Sequence, residues 1–506
     1  MNEINTQAVQ RQPRHSWAEA FLVYLKPRVL AMFFLGFSAG LPLFLIFSTL
    51  SLWLSEAGVD RSEVTYFSWA ALAYSFKFIW APVIDKLPLP ILHNFLGRRR
   101  SWLLVAQCSV MVALAWMAMI DPAHGLEGMA IAVVLLGFSS ASQDIVIDAY
   151  RIEVISKKYQ AAMSAMYIAG YRIGMLVAGA GGLYLAAYFG VENEYRYSAW
   201  QNTYMIMSGI MLVGVVTTLL IKEPEKNEKV EPYLHDVSEY FRFVLLFGIM
   251  VVAFIYGFSL FDFGLSNSFV NETVRLLMSL LFALIIMYLL VMLNIVNRKM
   301  AYTTYIEPVT DFFKRYGKMA ILLLLLVGLY RISDIVLGVV ANVFYHDMGF
   351  SKNEIATTTK LFGIIMTLVG GFLGGIMTMR YGVMRILLLG AILSSLTNLL
   401  FMLLAQNGYD IILLSVVIAA DNLSAGLASA AFIAYLSGLT NISFTAVQYA
   451  ILSSLMTLFP KLLGGYSGSL VNELGYSSFF FMTTLMGLPV ILLIFYLMVK
   501  KPETIN

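Results

Sequence analysis

Gly58-Val59-Asp60-Arg61-Ser62-Glu63-Val64 and Gly349-Phe350-Ser351-Lys352-Asn353-Glu354-Ile355 are the two stretches that decide the architecture. Each reads as a glycine turn, one cation, and an acidic residue that opens a long apolar run. Two further pairs recur in the same order. Gly179-Ala180-Gly181-Gly182 answers Gly465-Tyr466-Ser467-Gly468, and Lys222-Glu223-Pro224-Glu225 answers Lys500-Lys501-Pro502-Glu503. The offset is about 280–290 residues each time. Three ordered matches point to a duplicated chain. Both copies of the first stretch enter an apolar run from the same side, so the halves are parallel rather than inverted.

The medium around those halves follows from composition. Of 506 residues, 60% are hydrophobic and only 12% are charged. A soluble domain carries about a quarter charged residues, so this composition belongs in a bilayer. The net charge of +3 is too small to call for a nucleic-acid partner. A single cysteine, Cys108, excludes an intramolecular disulfide framework. Residues 1–15 are polar and no short apolar core with a cleavage site follows them, so the first apolar segment is expected to act as its own insertion signal.

A membrane helix needs about 20 mostly apolar residues. Runs of that kind lie near 29–54, 63–84, 101–120, 128–150, 160–188, 199–221, 241–262, 274–296, 319–342, 354–377, 384–404, 409–435, 444–470 and 478–499. The expected fold is therefore all-α and polytopic, with about 14 spans. The divisions are an N-terminal segment 1–28 with an interfacial stretch at Ser16 to Tyr24, a six-helix half 29–222, a linker 223–318, a six-helix half 319–500 and a tail 501–506. Spans 241–262 and 274–296 have no counterpart in the repeat. They are rich in Phe, Leu and Met, which suits lipid-facing helices. Most of the 33 basic residues fall on one side, against Arg61, Arg196 and Lys352 in the opposite loops. The positive-inside bias then places both termini in the cytoplasm.

Two parallel six-helix halves resemble the major facilitator superfamily. Particular motifs narrow the resemblance. They are Gly36-Phe37-Ser38-Ala39-Gly40-Leu41-Pro42, Tyr74-Ser75-Phe76-Lys77-Phe78-Ile79-Trp80-Ala81-Pro82 with Asp85, Gly97-Arg98-Arg99-Arg100, Ser140-Ala141-Ser142-Gln143-Asp144 with Asp148 and Tyr150, and Gly170-Tyr171-Arg172-Ile173-Gly174. Arg331, Asp334, Asp421 and Asn422 fall in the matching spans of the second half. The set resembles the AmpG-type muropeptide permeases of bacterial inner membranes. That resemblance implies proton-driven import of GlcNAc–anhydro-muramic acid, with or without a stem peptide, for peptidoglycan recycling. In some bacteria the same flux induces β-lactamase. A related branch carries acetyl-CoA, so another amphipathic anion is the alternative cargo. The loop from Asp85 to Gly97 is longer than the usual superfamily motif.

Charged side chains at bilayer depth cost at least about 2.5–3.5 kcal/mol, so they persist where they are paired or wetted. Arg172, Arg331, Asp334 and Asp421 fall roughly 18–22 Å from the nearest expected helix start, close to the midplane. Asp144, Asp148 and Arg151 share one face of span four, with Gln143 beside them as a candidate substrate ligand. Asp144 and Asp148 are candidate proton carriers; alternatively they brace a cytoplasmic gate with Arg151, Lys77 or Arg172, or Asp148 and Arg151 are simply hydrated. Lys77 and Arg172 are candidate ligands for substrate carboxylates, or else salt-bridge partners of Asp144 or Asp148. Arg331 and Asp334 form a candidate self-neutralising pair that also meets substrate. Asp421 is a candidate for proton binding or sugar recognition, with a bond to Arg331 as the alternative. Lys360 is placed to draw in an anion, Lys461 to snorkel, and Tyr171, with Trp69, Trp80, Tyr150 and Tyr167, to stack on a sugar. Asp85 with Arg98, Arg99 and Arg100 reads as a gate latch or a positive-inside anchor. Gly36, Gly40 and Pro42 read as a gating bend, and Gly174, Gly179 and Gly182 as packing positions.

Other function classes lack their tools. The five histidines, His15, His93, His124, His235 and His346, lie outside the spans, and no paired Cys/His spacing offers a metal site. No nucleotide-binding loop or pore-ring pattern occurs. The expectation is a monomeric carrier in a lipid bilayer, without cofactor, metal or enzymatic activity, whose partners are a muropeptide and protons.

Overall fold

The computed structural model describes residues 22–59, 67, 74, 76–191, 194–225, 237–264, 268–293, 295, 298–464 and 466–500. The expected interfacial stretch before Leu22, the motif residues Arg61, Glu63 and Val64, Trp69, Gly465 and the tail 501–506 lie outside them. The side chains of Lys352, Lys360 and Lys461 lie outside them as well.

Among the described residues the chain forms helices and no strand. The first half begins with α1 (Pro27–Ile46), which opens on a proline whose missing N–H is no loss in a first turn. One turn after Pro42 the backbone breaks at Phe47 and resumes as α2 (Ser48–Glu56). The half continues through α3 (Ala81–Lys86), α4 (Arg98–Ala118), α5 (Leu126–Glu153) and α6 (Gln160–Leu176), then α7 (Gly182–Phe189), α8 (Tyr197–Ile210) and α9 (Leu212–Leu220). The inserted pair is α10 (Val237–Leu260) and α11 (Ser268–Met292), followed by a short amphipathic helix, α12 (Glu307–Tyr316). The second half contains α13 (Met319–Leu329), α14 (Ile332–Asp347), α15 (Gly363–Tyr381), α16 (Val383–Asn407), α17 (Ile411–Leu439), α18 (Thr445–Gly464) and α19 (Ser467–Lys500). Gly475, at φ 75°, folds α19 back on itself, so its first turns belong to the span before.

Among the described residues, ten helical stretches are long and apolar enough to cross a bilayer, which does not confirm the expected count of fourteen. The inserted pair and α18 hold shorter apolar stretches, Val244–Leu260, Leu277–Met292 and Ile442–Leu458. Half of the expected span 63–84 lies outside the described residues.

Three spans are interrupted where charges sit at depth. Lys77 lies in a 3-10 turn, Lys77–Ile79, and Arg331 caps α14 after α13 ends. A π turn, Val177–Gly181, follows α6 a few residues beyond Arg172. Irregular backbone is tolerated at membrane depth only where protein or a wet cavity satisfies it. These breaks therefore mark the bundle interior.

Glycines set how closely α1 and α6 approach. A Cβ on Gly36 would sit 2.2 Å from the Tyr167 carbonyl oxygen, and one on Gly170 1.8 Å from that of Phe33. Gly40 and Gly174 meet backbone in the same way, at 2.1 and 2.2 Å. This is small-residue packing of two GxxxG faces. The expected bend at Gly36 and Gly40 is absent, because both lie inside unbroken α1; the break comes after Pro42.

The apolar core divides at one end of the bundle and is shared at the other. Trp53, Trp200 and Tyr204 centre a cluster built from first-half residues, and Phe344, Phe401 and Phe480 centre the second-half core. A third cluster joins Ala149, Tyr150 and Met166 of the first half to Ala430, Ala446 and Ala450 of the second. This shared cluster lies at the end carrying Arg98, Arg151 and Arg315, called the basic end below. The halves are closed against each other there.

Replacing Gly170 by valine is expected to destabilise the detergent-solubilised protein by about 1–3 kcal/mol or more through overpacking. Gly209, beside which a Cβ would meet nothing within 4 Å, is the control. Thermal unfolding of Gly170→Val and Gly209→Ala checks the contrast; equal midpoints would remove the packing argument.

Candidate functional site

The first cluster of deep charges forms where span two meets α5. Tyr74 donates to Ser140 Oγ at 2.6 Å and Trp80 Nε1 to Ser142 Oγ at 3.0 Å, which fixes the two helices side by side. Lys77 Nζ then lies 3.6 Å from Asp148 Oδ2. Asp148 also receives Arg151 Nη2 at 3.2 Å. The alternative that Asp148 and Arg151 are hydrated fails, since they are 7% and 0% exposed. Asp144, 7% exposed, accepts from Tyr167 at 3.4 Å and feels the Lys77 charge, with no ion pair of its own among the described residues. Gln143 does not face a cavity: it is fully buried, with Nε2 3.4 Å from Ser38 Oγ on α1.

A second cluster occupies the other half. Arg331 Nη2 stands 3.7 Å from Asp334 Oδ2, and its Nη1 donates to Ser429 Oγ at 3.2 Å. Ser394 donates to Asp334, and Thr397 to Asp421 at 3.3 Å. Asp334 and Arg331 both act electrostatically on Asp421, yet no ion pair joins Asp421 to Arg331 among the described residues.

Arg172 connects the clusters. It sits half-buried on α6 beside Tyr171, within electrostatic reach of Arg331 on the opposite half. No ion pair or hydrogen bond to Arg172 occurs among the described residues, so the expected salt bridge to Asp144 or Asp148 is not formed. Two guanidinium groups, one from each half, thus lie within electrostatic reach of one another, with one carboxylate, Asp334, paired to Arg331. Tyr171 stacks near Tyr167, ring centres 5.9 Å apart, along the same wall. The site offers two cations, adjacent carboxylates, hydroxyls and aromatic faces. It can hold an anionic, hydroxyl-rich molecule.

The basic end is held shut by bonds between the halves. Arg151, from α5, donates to Ser437 Oγ of α17 at 2.7 Å and lies 5.1 Å from the Tyr449 ring of α18. Thr445 donates to Glu153 at 2.5 Å, and Tyr24 to the Phe372 carbonyl at 3.2 Å. Behind this seal stands the latch. Arg99 Nη2 bonds Asp85 at 2.7 Å and Glu153 at 2.5 Å, with Arg99 only 1% exposed. The longer Asp85–Gly97 loop carries a short helix, Leu92–Leu96, and still delivers the pair. Arg98 donates to the Asp85 carbonyl at 3.0 Å, and Arg100 to the Thr218 carbonyl at 3.0 Å. Glu223 accepts the N–H groups of Arg99 and Arg100 at 2.8 and 3.0 Å, capping α4. Gly97 has φ 83°, and a Cβ there would strike the Glu223 side chain at 2.4 Å.

Sequence reasoning missed Glu153, Thr445, Ser437 and Tyr449. Glu153 is a lone acid beyond the expected span 128–150, and the other three are common residue types without a spacing signal. Glu223 had a signal, since it lies in a repeated half-ending.

Comparison with known proteins places this geometry in context. Residues 32–329 match the Major Facilitator Superfamily. The chain is 33% identical over 475 residues to a putative transporter AmpG 4 of Rickettsia conorii, covering 94% of this chain and 97% of the relative. It is 29% identical over 473 residues to the anhydromuropeptide permease of Escherichia coli K12, covering 93% and 80%. Its fold resembles the solved structure of the proton:xylose symporter XylE bound to 6-bromo-6-deoxy-D-glucose, with TM-score 0.58, 12% identity and 96% coverage of both chains.

The latch makes a pH prediction. Asp85 stands just past span two. Burial pushes its carboxyl up, but Arg99, Arg98 and Lys86 together outweigh burial and hold it below the usual carboxylate range. A depressed folded value stabilises above the unfolded pKa of about 3.9 and is lost as pH falls through the folded value. Asp85→Asn is expected to cost about 1.5–3 kcal/mol, because it removes one of the two carboxylates on buried Arg99 and leaves Glu153 alone to hold it. That cost should be constant from about pH 5 to about pH 8 in thermal-unfolding measurements. A cost that varies across this window would contradict the latch.

Proposed function

The chain belongs to the major facilitator superfamily, alongside transporters named AmpG and anhydromuropeptide permease, and on that premise we propose that it is a proton-coupled importer of cell-wall muropeptides. It works by alternating access in a bacterial inner membrane, with the basic end and both termini in the cytoplasm. The positive-inside bias supports that orientation. The resting form is then closed to the cytoplasm by Arg151, Ser437, Glu153 and Thr445, and substrate enters from the opposite side.

The observation that carries the substrate class is Arg172 within electrostatic reach of Arg331 and without an ion pair of its own among the described residues. Like charges at bilayer depth oppose closure of the halves until an anion lies between them. The lactyl carboxylate of anhydro-muramic acid, or a stem-peptide carboxylate, supplies that anion to two bidentate forks. Tyr171 and Tyr167 offer flat faces to a sugar, and Ser394, Thr397 and Ser429 offer hydroxyls.

Asp144 and Asp421 are the proposed proton carriers. Asp144 is buried and Asp421 half-buried, and neither has an ion pair among the described residues, so neither is committed to a fixed salt bridge. Asp148, paired to Lys77 and Arg151, serves instead to hold the closed end.

Uptake of labelled GlcNAc–anhydro-muropeptide into vesicles should collapse on adding a protonophore; uptake that persists would remove the coupling. Asp144→Asn or Asp421→Asn should abolish concentrative uptake while the protein still inserts, and full activity of both would refute the carboxylate assignment. Arg172→Ala should raise the half-saturating substrate concentration by about 10- to 100-fold, the loss of a hydrogen bond to a charged group.

A further inference from the structure

The segment before α13 forms a strap along the basic end. It runs from Arg298 through a π turn, Tyr302–Ile306, into α12, and only Gly317 and Lys318 separate α12 from α13. Such a short connection holds α12 at the membrane edge. One face of the strap is fixed to both halves. Tyr305 packs against Val83 and Leu87 of the first half. Asp311 accepts from Gln448 at 2.9 Å and from Asn441 at 3.1 Å, and Arg315 donates to the Leu439 carbonyl at 3.1 Å and to Gln448 at 2.9 Å. The turn that these bonds grip carries Thr445, which bonds Glu153 across the seal.

The other face is unpartnered. Tyr302, Ile306, Val309 and Phe313 are 43%, 46%, 40% and 41% exposed, and their spacing of four, three and four puts them in one stripe. Arg298, Lys299, Lys314 and Lys318 are exposed around that stripe. An apolar stripe bordered by cations is the pattern of a helix lying in the headgroup layer.

We propose that this strap is a docking surface for anionic phospholipid headgroups, and that occupying it favours the arrangement closed at the basic end. Charge complementarity selects the lipid. Each basic side chain near an anionic surface adds a preference of roughly five-fold. The apolar stripe seats the strap in acyl chains, which a soluble anion cannot do. A strap held in the leaflet keeps the Asn441–Gln448 turn in place, and with it the Thr445–Glu153 bond.

The test reads gate distance and not transport, so it stands apart from the proposed cargo. Full-length protein with Lys157→Cys, Ile442→Cys and Cys108→Ser carries two spin labels on opposite halves and is placed in nanodiscs. Replacing roughly a third of the phosphatidylcholine by phosphatidylglycerol should raise the closed-to-open ratio roughly five-fold. The R298Q, K299Q, K314Q, K318Q variant should stay within about two-fold of its ratio in phosphatidylcholine. Arg385→Gln, at the same end but off the strap, should respond like the parent. Salt at about 1 M should remove the response without any variant. No response in the parent, or a full response in the four-residue variant, overturns the proposal.

Discussion

A charge carried into a bilayer must find a partner there or a wet cavity, and the layout of this chain follows from how it meets that demand. Lys77 and Arg151 share Asp148, Arg99 is held between Asp85 and Glu153, and Arg331 takes Asp334. Lys77–Asp148 and Arg99–Glu153 join different spans, whereas Arg151–Asp148 and Arg331–Asp334 each sit three residues apart. Arg172 is the exception, within electrostatic reach of Arg331 on the other half. Among the described residues, Arg172 is thus a deep cation with a like charge within reach and no ion pair of its own, the feature on which the proposed anion site rests.

The pairing also explains why the halves meet at one end. The shared apolar cluster, the Arg151–Ser437 bond and the Thr445–Glu153 bond all lie at the basic end. Arg99 and Glu153 belong to both the latch and this seal, because Glu153 accepts from each side. Thr445 of the second half thereby bonds into the latch that joins the ends of spans two, three and four. The glycine faces of α1 and α6 bring two first-half helices into backbone contact.

The all-helical fold and its apolar spans were legible because they are written in composition and run length. The pairing of Arg331 with Asp334 was legible for a local reason, a three-residue spacing on one helix. Burial of Asp148 and Arg151 was not, since a helix end looks wet until the second half covers it with Ser437 and Tyr449. Glu153 was invisible for the same reason: its partners lie 54 and 292 residues away. Gln143 was misread because its neighbours in sequence face Lys77, whereas its own side chain turns to Ser38 on α1. The strap escaped notice because α12 is short and mixed in composition, and its meaning comes from what each face touches.

The central claim is that an anion held between two halves completes the site. Calorimetric titration of the purified protein with GlcNAc–anhydro-muropeptide, and with the same compound after its carboxylates are esterified, tests it most directly. The account predicts binding of the free acid and loss of at least about ten-fold in affinity for the ester, the cost of removing a charge-assisted bond. Equal affinity for the two compounds would contradict it.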